Sequence, residues 1–312
     1  MGGSEPENNQ YATFIAYDWK NKVVGELSCD PRCIANYFTK SDLPFETTPV
    51  FFNAQVLLKY KSDPAKYRLG HRSISCLHAW HLQTYDINEA GQVHTYLIYL
   101  SRLPYKEQLY WKSYNEEPKG LMEEPIGPIS MRAFTTDFLG KWDESPDPLR
   151  DLKRKLNELK EEGAQWWRMK DPQLIELVHY PVTDSAKEWA DELLALDQLL
   201  VEGLAHSYFK TKLESMRSKP DPQWGSIKLI EECLKASGMD ELQADAILEP
   251  LRELHRLRTK MRGHVASEQE KGRIRADFIR KHGSLKLHFR SLTEDCHKAV
   301  KQLSDMVEKG SL

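Results

Sequence analysis

The spacing of hydrophobic positions changes along the chain. Up to about residue 100, apolar and polar residues alternate in short runs, the period of a strand with one buried face. Beyond residue 149 they recur every three or four residues, the period of helices with one apolar stripe. In the first region, residues 11–17 and 23–29 read as strands joined in a hairpin across 18–22. Asp30 and Pro31 open a short helix through Ile34 and Phe38, with the aspartate as N-cap and the proline in the first turn. Residues 53–60 read as a helix capped by Asn53. Residues 74–77, 80–85 and 93–100 read as strands, with a turn at 88–91 between the last two.

Helices are expected over 104–114 and 130–142, separated by a Pro- and Gly-rich loop at 117–128. Residues 143–148, with two prolines, are the clearest boundary. Downstream, helices are expected over 149–167, 185–216, 226–236, 241–263 and 287–308, the fourth kinking or restarting at Pro250. Trp189, Leu193, Leu196, Leu200, Leu204 and Tyr208 form one stripe; Ile247, Leu251, Leu254, Leu257 and Met261 form another. Helices with single apolar faces must pack together. The predicted fold class is α+β: a mixed domain with an antiparallel sheet over residues 1–145, and an all-α bundle over 146–312.

Composition narrows the classes. No apolar run reaches the ~20 residues of a membrane span. Five cysteines in 312 residues, an odd number and scattered, suit a reducing compartment, with the cytoplasm as default. The net charge of −3 is unevenly spread: residues 251–312 hold 15 Lys and Arg against 8 Asp and Glu, so the remainder sums to −10. A basic C-terminal quarter can attract nucleic acid, or it can be a solvated helix face.

The candidate chemistry lies in that quarter, where Arg258 and His264 stand near a helix end. Leu254, Leu257, Met261 and His264 share one stripe and Arg258 borders it, so both polar groups flank a packing face. A guanidinium can grip phosphate and an imidazole can move protons near neutral pH. In the bland alternative, His264 caps the helix and Arg258 pairs with Glu253 or Asp245. Zinc finds no compact ligand set: Cys29 and Cys33 are loosely spaced, and Cys76, His71, His78 and His81 need not converge with them. The tryptophans fit core packing, except that adjacent Trp166 and Trp167 cannot share one helix face.

The run from Leu251 to His264, preceded by residues 225–231 and a long helix, resembles HEPN-type helical domains. These are bundles of prokaryotic toxin and antiviral systems, many of them metal-independent ribonucleases. Their signature, an arginine and a histidine four to six residues apart, is matched by Arg258 and His264 with five between. Thr259 departs from the asparagine, aspartate or histidine that often follows the arginine. Residues 29–38, 48–52 and 103–115 look like a group of uncharacterised bacterial proteins that join such an N-terminal module to a helical part. The resemblance implies a homodimer that cleaves RNA without cofactor or metal. His264 would act as general base or acid and Arg258 would stabilise the phosphorane. Lys260, Arg262, Arg273 and Arg275 would hold the RNA backbone, and the N-terminal domain would sense or answer to a regulatory protein. The competing reading is a non-catalytic binding or assembly protein that uses the bundle to dimerise.

Overall fold

A computed structural model describes residues 10–120, 127–141, 146–262 and 266–312. The chain divides into two compact units, Met1–Ser145 and Pro146–Leu312. The first is α+β and the second is helical, the fold class the hydrophobic pattern predicts.

In the first unit, β1 (Thr13–Asp18) and β2 (Val23–Ser28) form the expected hairpin. The sheet runs in the order β2-β1-β3-β8-β7, with β3 at Pro49–Phe52, β7 at Asp86–Ile87 and β8 at Val93–Tyr96. A short β9 (Asn115–Glu116) also pairs with β3, and every pairing is antiparallel. A second small sheet joins β4 (Tyr67–Leu69), β5 (Ile74–Cys76) and β6 (Trp80–Leu82).

Three expectations need correction. The helix after Asp30 is a single tight turn, Pro31–Cys33. Asp30 caps it as foreseen, but Ala35 then pairs with Phe45 and pulls the backbone into extended form. The predicted strand 93–100 stops at Tyr96, and Leu97–Ser101 turns helical (α2). The central strand β3 was not foreseen: all four of its residues are buried, so it shows no alternation. The remaining helices of this unit are α1 (Leu58–Ser62), α3 (Tyr105–Lys112) and α4 (Met131–Ala133), the last running into a wider turn through Phe138. Trp142 lies outside the described residues.

The second unit holds α5 (Pro148–Glu161), a short α6 (Leu174–Leu177), α7 (Ala186–Leu200), α8 (His206–Ser215), α9 (Ser226–Ala236), α10 (Glu241–Arg262), α11 (Glu268–His282) and α12 (Leu285–Glu308). Both predicted stripes face one core, with Trp189, Leu193, Leu196, Leu254 and Leu257 wholly buried. The expected helix 185–216 is broken after Leu200. Residues 166–168 pair with 203–205 there: Arg168 N–H donates to Gly203 O at 2.8 Å and Ala205 N–H to Trp166 O at 2.8 Å. A side chain at 203 would lie 2.5 Å from Trp167 Nε1, so the crossing needs glycine. Trp166 and Trp167 therefore lie beyond the end of α5, and both are buried, 3% and 2% exposed. α10 runs unbroken through Pro250. α11 was not foreseen, because it buries no residue and meets the core through half-buried Ile274 and Phe278.

Candidate functional site

α7 and α10 pack antiparallel, and polar residues line their seam. Asp197 follows Leu196 on the buried stripe of α7 and is 0% exposed. A bare carboxylate there would be very costly, and the structure supplies it with partners from α10. His255 Nδ1 lies 3.0 Å from Asp197 Oδ1, and Arg258 Nε lies 3.5 Å from Asp197 Oδ2. One turn separates His255 from Arg258, so a single carboxylate spans both. Arg258 Nη2 also reaches Glu202 Oε1 at 3.3 Å, and Lys170 Nζ lies 3.3 Å from the other oxygen of Glu202. Burial raises the pKa of Asp197, and hydrogen bonding to His255 with the charge of Arg258 offsets only part of that rise.

The consequence is an oriented imidazole. With Nδ1 turned to the carboxylate, His255 carries its second nitrogen outward, and its side chain is half exposed. A carboxylate behind a histidine holds the ring in one orientation; where Nδ1 carries the proton toward it, Nε2 is the free ring nitrogen. Arg258 sits beside it, its side chain a third exposed. Its Nη1 makes no hydrogen bond among the described residues.

The sequence-based candidates divide as follows. Arg258 is at this seam. His264 lies outside the described residues, as do its neighbours Gly263 and Val265. The partners foreseen for Arg258 are taken elsewhere: Asp245 pairs with Arg252 at 2.9 Å and Glu253 with Arg256 at 3.7 Å. Lys260 is engaged by Glu270 at 2.7 Å, and Arg262 pairs with Asp191 one step further along the seam. Arg273 is exposed and Arg275 half-exposed on α11, without ion-pair partners among the described residues. Sequence reasoning missed His255 and Asp197. The visible signal was an aspartate interrupting the apolar stripe between Leu193 and Leu200, which a buried position tolerates only with a cationic or donor partner.

The first unit has its own buried charge cluster. Asp86, 1% exposed, is held by Arg132 Nη2 at 2.5 Å and Arg72 Nε at 3.3 Å. Arg72 also binds Asp137 at 2.6 Å, and the Tyr96 hydroxyl donates to Asp137 at 2.9 Å. His94, across the sheet from Asp86, accepts a hydrogen bond from Ser130 N–H at Nε2, and burial pushes its pKa down to about 4. Two arginines facing two aspartates leave no net charge for a ligand, so this cluster reads as a latch holding the segment 130–137 to the sheet. No group of three metal-ligating side chains converges among the described residues, and no helix there is long and apolar enough to cross a membrane. Comparison of the chain with protein-family models, with curated proteins and with solved structures finds no match.

Proposed function

We propose that the helical unit cleaves RNA without a metal, with His255 as the proton-transfer group and Arg258 as the phosphate-binding cation. The observation that carries the reading is one wholly buried carboxylate, Asp197, which orients the imidazole at 3.0 Å and holds the guanidinium beside it at 3.5 Å. In this scheme His255 Nε2 takes the proton of a ribose 2′-OH, and the 2′-oxygen attacks the adjacent phosphorus. The 5′-oxygen then leaves with a proton from a second donor, for which His264 is the sequence-based candidate. Arg258 offsets the charge that grows on the phosphorane oxygens, a role for a cation already in place. The 2′-OH requirement restricts the activity to RNA. Arg273 and Arg275 are cations available to the backbone of a bound strand.

The resemblance to HEPN-type domains supports the same chemistry and suggests an effector of a bacterial defence or toxin system, with the first unit as sensor. A second reading, a non-catalytic assembly protein, is favoured by one observation: Arg262 and Lys260 are both spent on internal carboxylates.

The test is incubation of purified protein with total RNA in EDTA, beside His255→Ala, Arg258→Ala and His264→Ala variants. Loss of His255 is expected to slow cleavage by ~10²-fold or more, as removal of a general base does. Intact RNA with the wild-type protein, or undiminished cutting by His255→Ala, overturns the assignment.

A further inference from the structure

β2 is the outer strand of the larger sheet, and its outer edge is unpaired among the described residues. Ile15 exchanges both backbone groups with the Asn115 side chain, at 2.6 and 3.0 Å, so it turns away from β2. Cys29 N–H donates to Ala12 O at 3.1 Å. Together these fix which residues of β2 bond inward: Leu27 to Phe14 and Gly25 to Ala16. The backbone groups of Val24, Glu26 and Ser28 therefore point outward, and none has a hydrogen-bond partner among the described residues. Val23 and Val24 beside them are 52% and 36% exposed. An open strand edge carrying apolar side chains is a template for strand pairing unless it is covered or blocked.

Gly25 sits in the middle of this edge. Its backbone is not left-handed, and a Cβ placed there would meet nothing within 4 Å. The described residues of one chain thus give no reason for glycine, a residue that weakens a strand. Glycine inside a strand is what a second backbone approaching closely requires.

We propose that β2 pairs antiparallel with β2 of a second copy of this chain about a two-fold axis at Gly25. In that register the outward groups of Val24 exchange hydrogen bonds with those of Glu26 in the other copy, and the reverse. Exposed Val23 gains half-buried Leu27 as its cross-strand neighbour. Charge favours this register over its neighbour. A two-fold at Glu26 would set two carboxylates face to face, whereas a two-fold at Gly25 places each Glu26 opposite a valine. The two Gly25 residues then form the close, non-hydrogen-bonded pair, with Cα atoms about 4.5 Å apart.

That spacing defines the experiment. In the full-length chain with the exposed Cys33 changed to serine, Gly25→Cys is expected to oxidise to a disulfide-linked dimer, because its Cα spacing falls inside the disulfide window of about 4.4–6.8 Å. Val23→Cys serves as the register control. Its two copies would stand about 13 Å apart across the axis, and its cross-linking is expected to be at least ~tenfold slower. Val24→Pro removes an outward N–H that the chain itself does not use, and is expected to abolish the dimer in light scattering while leaving the circular dichroism unchanged. A monomeric wild-type protein, or equal cross-linking of both cysteine variants, overturns the proposal. So does a dimer that survives Val24→Pro.

Discussion

Replacing Arg258 with methionine tests whether Asp197 depends on it. The carboxylate is wholly buried and the guanidinium a third exposed. Breaking a buried ion pair by removing one partner costs about 3–5 kcal/mol. Two features reduce that here. Solvent reaches the guanidinium, and His255 remains on the other carboxylate oxygen. About 2 kcal/mol at pH 7 is therefore expected, at the low edge of that range or below it. The cost should depend on pH. Burial has already raised the pKa of Asp197, and loss of the neighbouring cation raises it further. A carboxyl whose folded pKa exceeds its unfolded value favours folding when protonated, and that benefit disappears as pH rises through the folded pKa. The penalty must therefore shrink on going from pH 7 to pH 5, by up to its full size of about 2 kcal/mol, which lies within the 1.36 kcal/mol per unit that linkage allows. Urea unfolding followed by helical circular dichroism gives the numbers, and a cycle with Asp197→Asn isolates the pair. A coupling of about 1–2 kcal/mol is expected. A penalty below about 0.5 kcal/mol at pH 7, or strictly additive single variants, would refute the view that Asp197 relies on Arg258.

Three further outcomes can be checked. His288 is 2% exposed and accepts from Trp189 Nε1 at 3.2 Å, and burial, helped by His282 and Lys281, holds its pKa down to about 3. The stability this gives is complete above pH 6.5 and is lost as pH falls toward 3, so about 2 kcal/mol should be gone by pH 5; His288→Gln should flatten that acid limb, and an unchanged limb in denaturant titrations counts against it. Glu231 is buried, which opposes ionisation, yet hydrogen bonds from Lys228 and Lys235 bring its pKa down to about 2. Its contribution is present above pH 4.5 and lost toward pH 2, so Glu231→Gln should destabilise at pH 6 and converge with wild type at pH 2; parallel stability curves would contradict this. Gly203→Ala should cost about 1–3 kcal/mol by pressing a methyl onto Trp167, whereas Gly272→Ala inside α11, with only Arg275 near at 3.9 Å, should gain about 0.5–1 kcal/mol; melting temperatures that move in the same direction would disprove the contrast.

What could be read from the chain depended on whether one face of an element met water. Strand β1 and the stripes of α7 and α10 each have a wet and a dry side, so alternation or a three-to-four period exposed them. β3 is dry on both sides and shows no period; α11 is nearly all wet and shows none either. The break after Leu200 was missed for another reason. Apolar residues continue at helical spacing through Leu204 and Tyr208; Gly203 is the local sign of a break, and the distant pairing with Trp166 and Arg168 ends the helix. Arg258 could be placed beside a packing face from spacing alone, but its carboxylate came from α7, about 60 residues away, where local sequence gives no guide.

That long-range partner bears on how the seam should be understood. A core position filled by an aspartate is rarely the most stable choice, since replacing a buried ion pair by well-packed apolar residues is often neutral or stabilising by about 1–4 kcal/mol. The surrounding residues, Leu193, Leu196, Leu200 and Leu254, show that the bundle has apolar material to fill such a place. Burying Asp197 thus opposes its ionisation, and its two partners offset only part of that. On the proposed reading, that cost is offset by what Asp197 holds at the surface: a half-exposed imidazole and a guanidinium one turn away. Structural pairing alone accounts for Arg258 with Glu202, which would stand without Asp197.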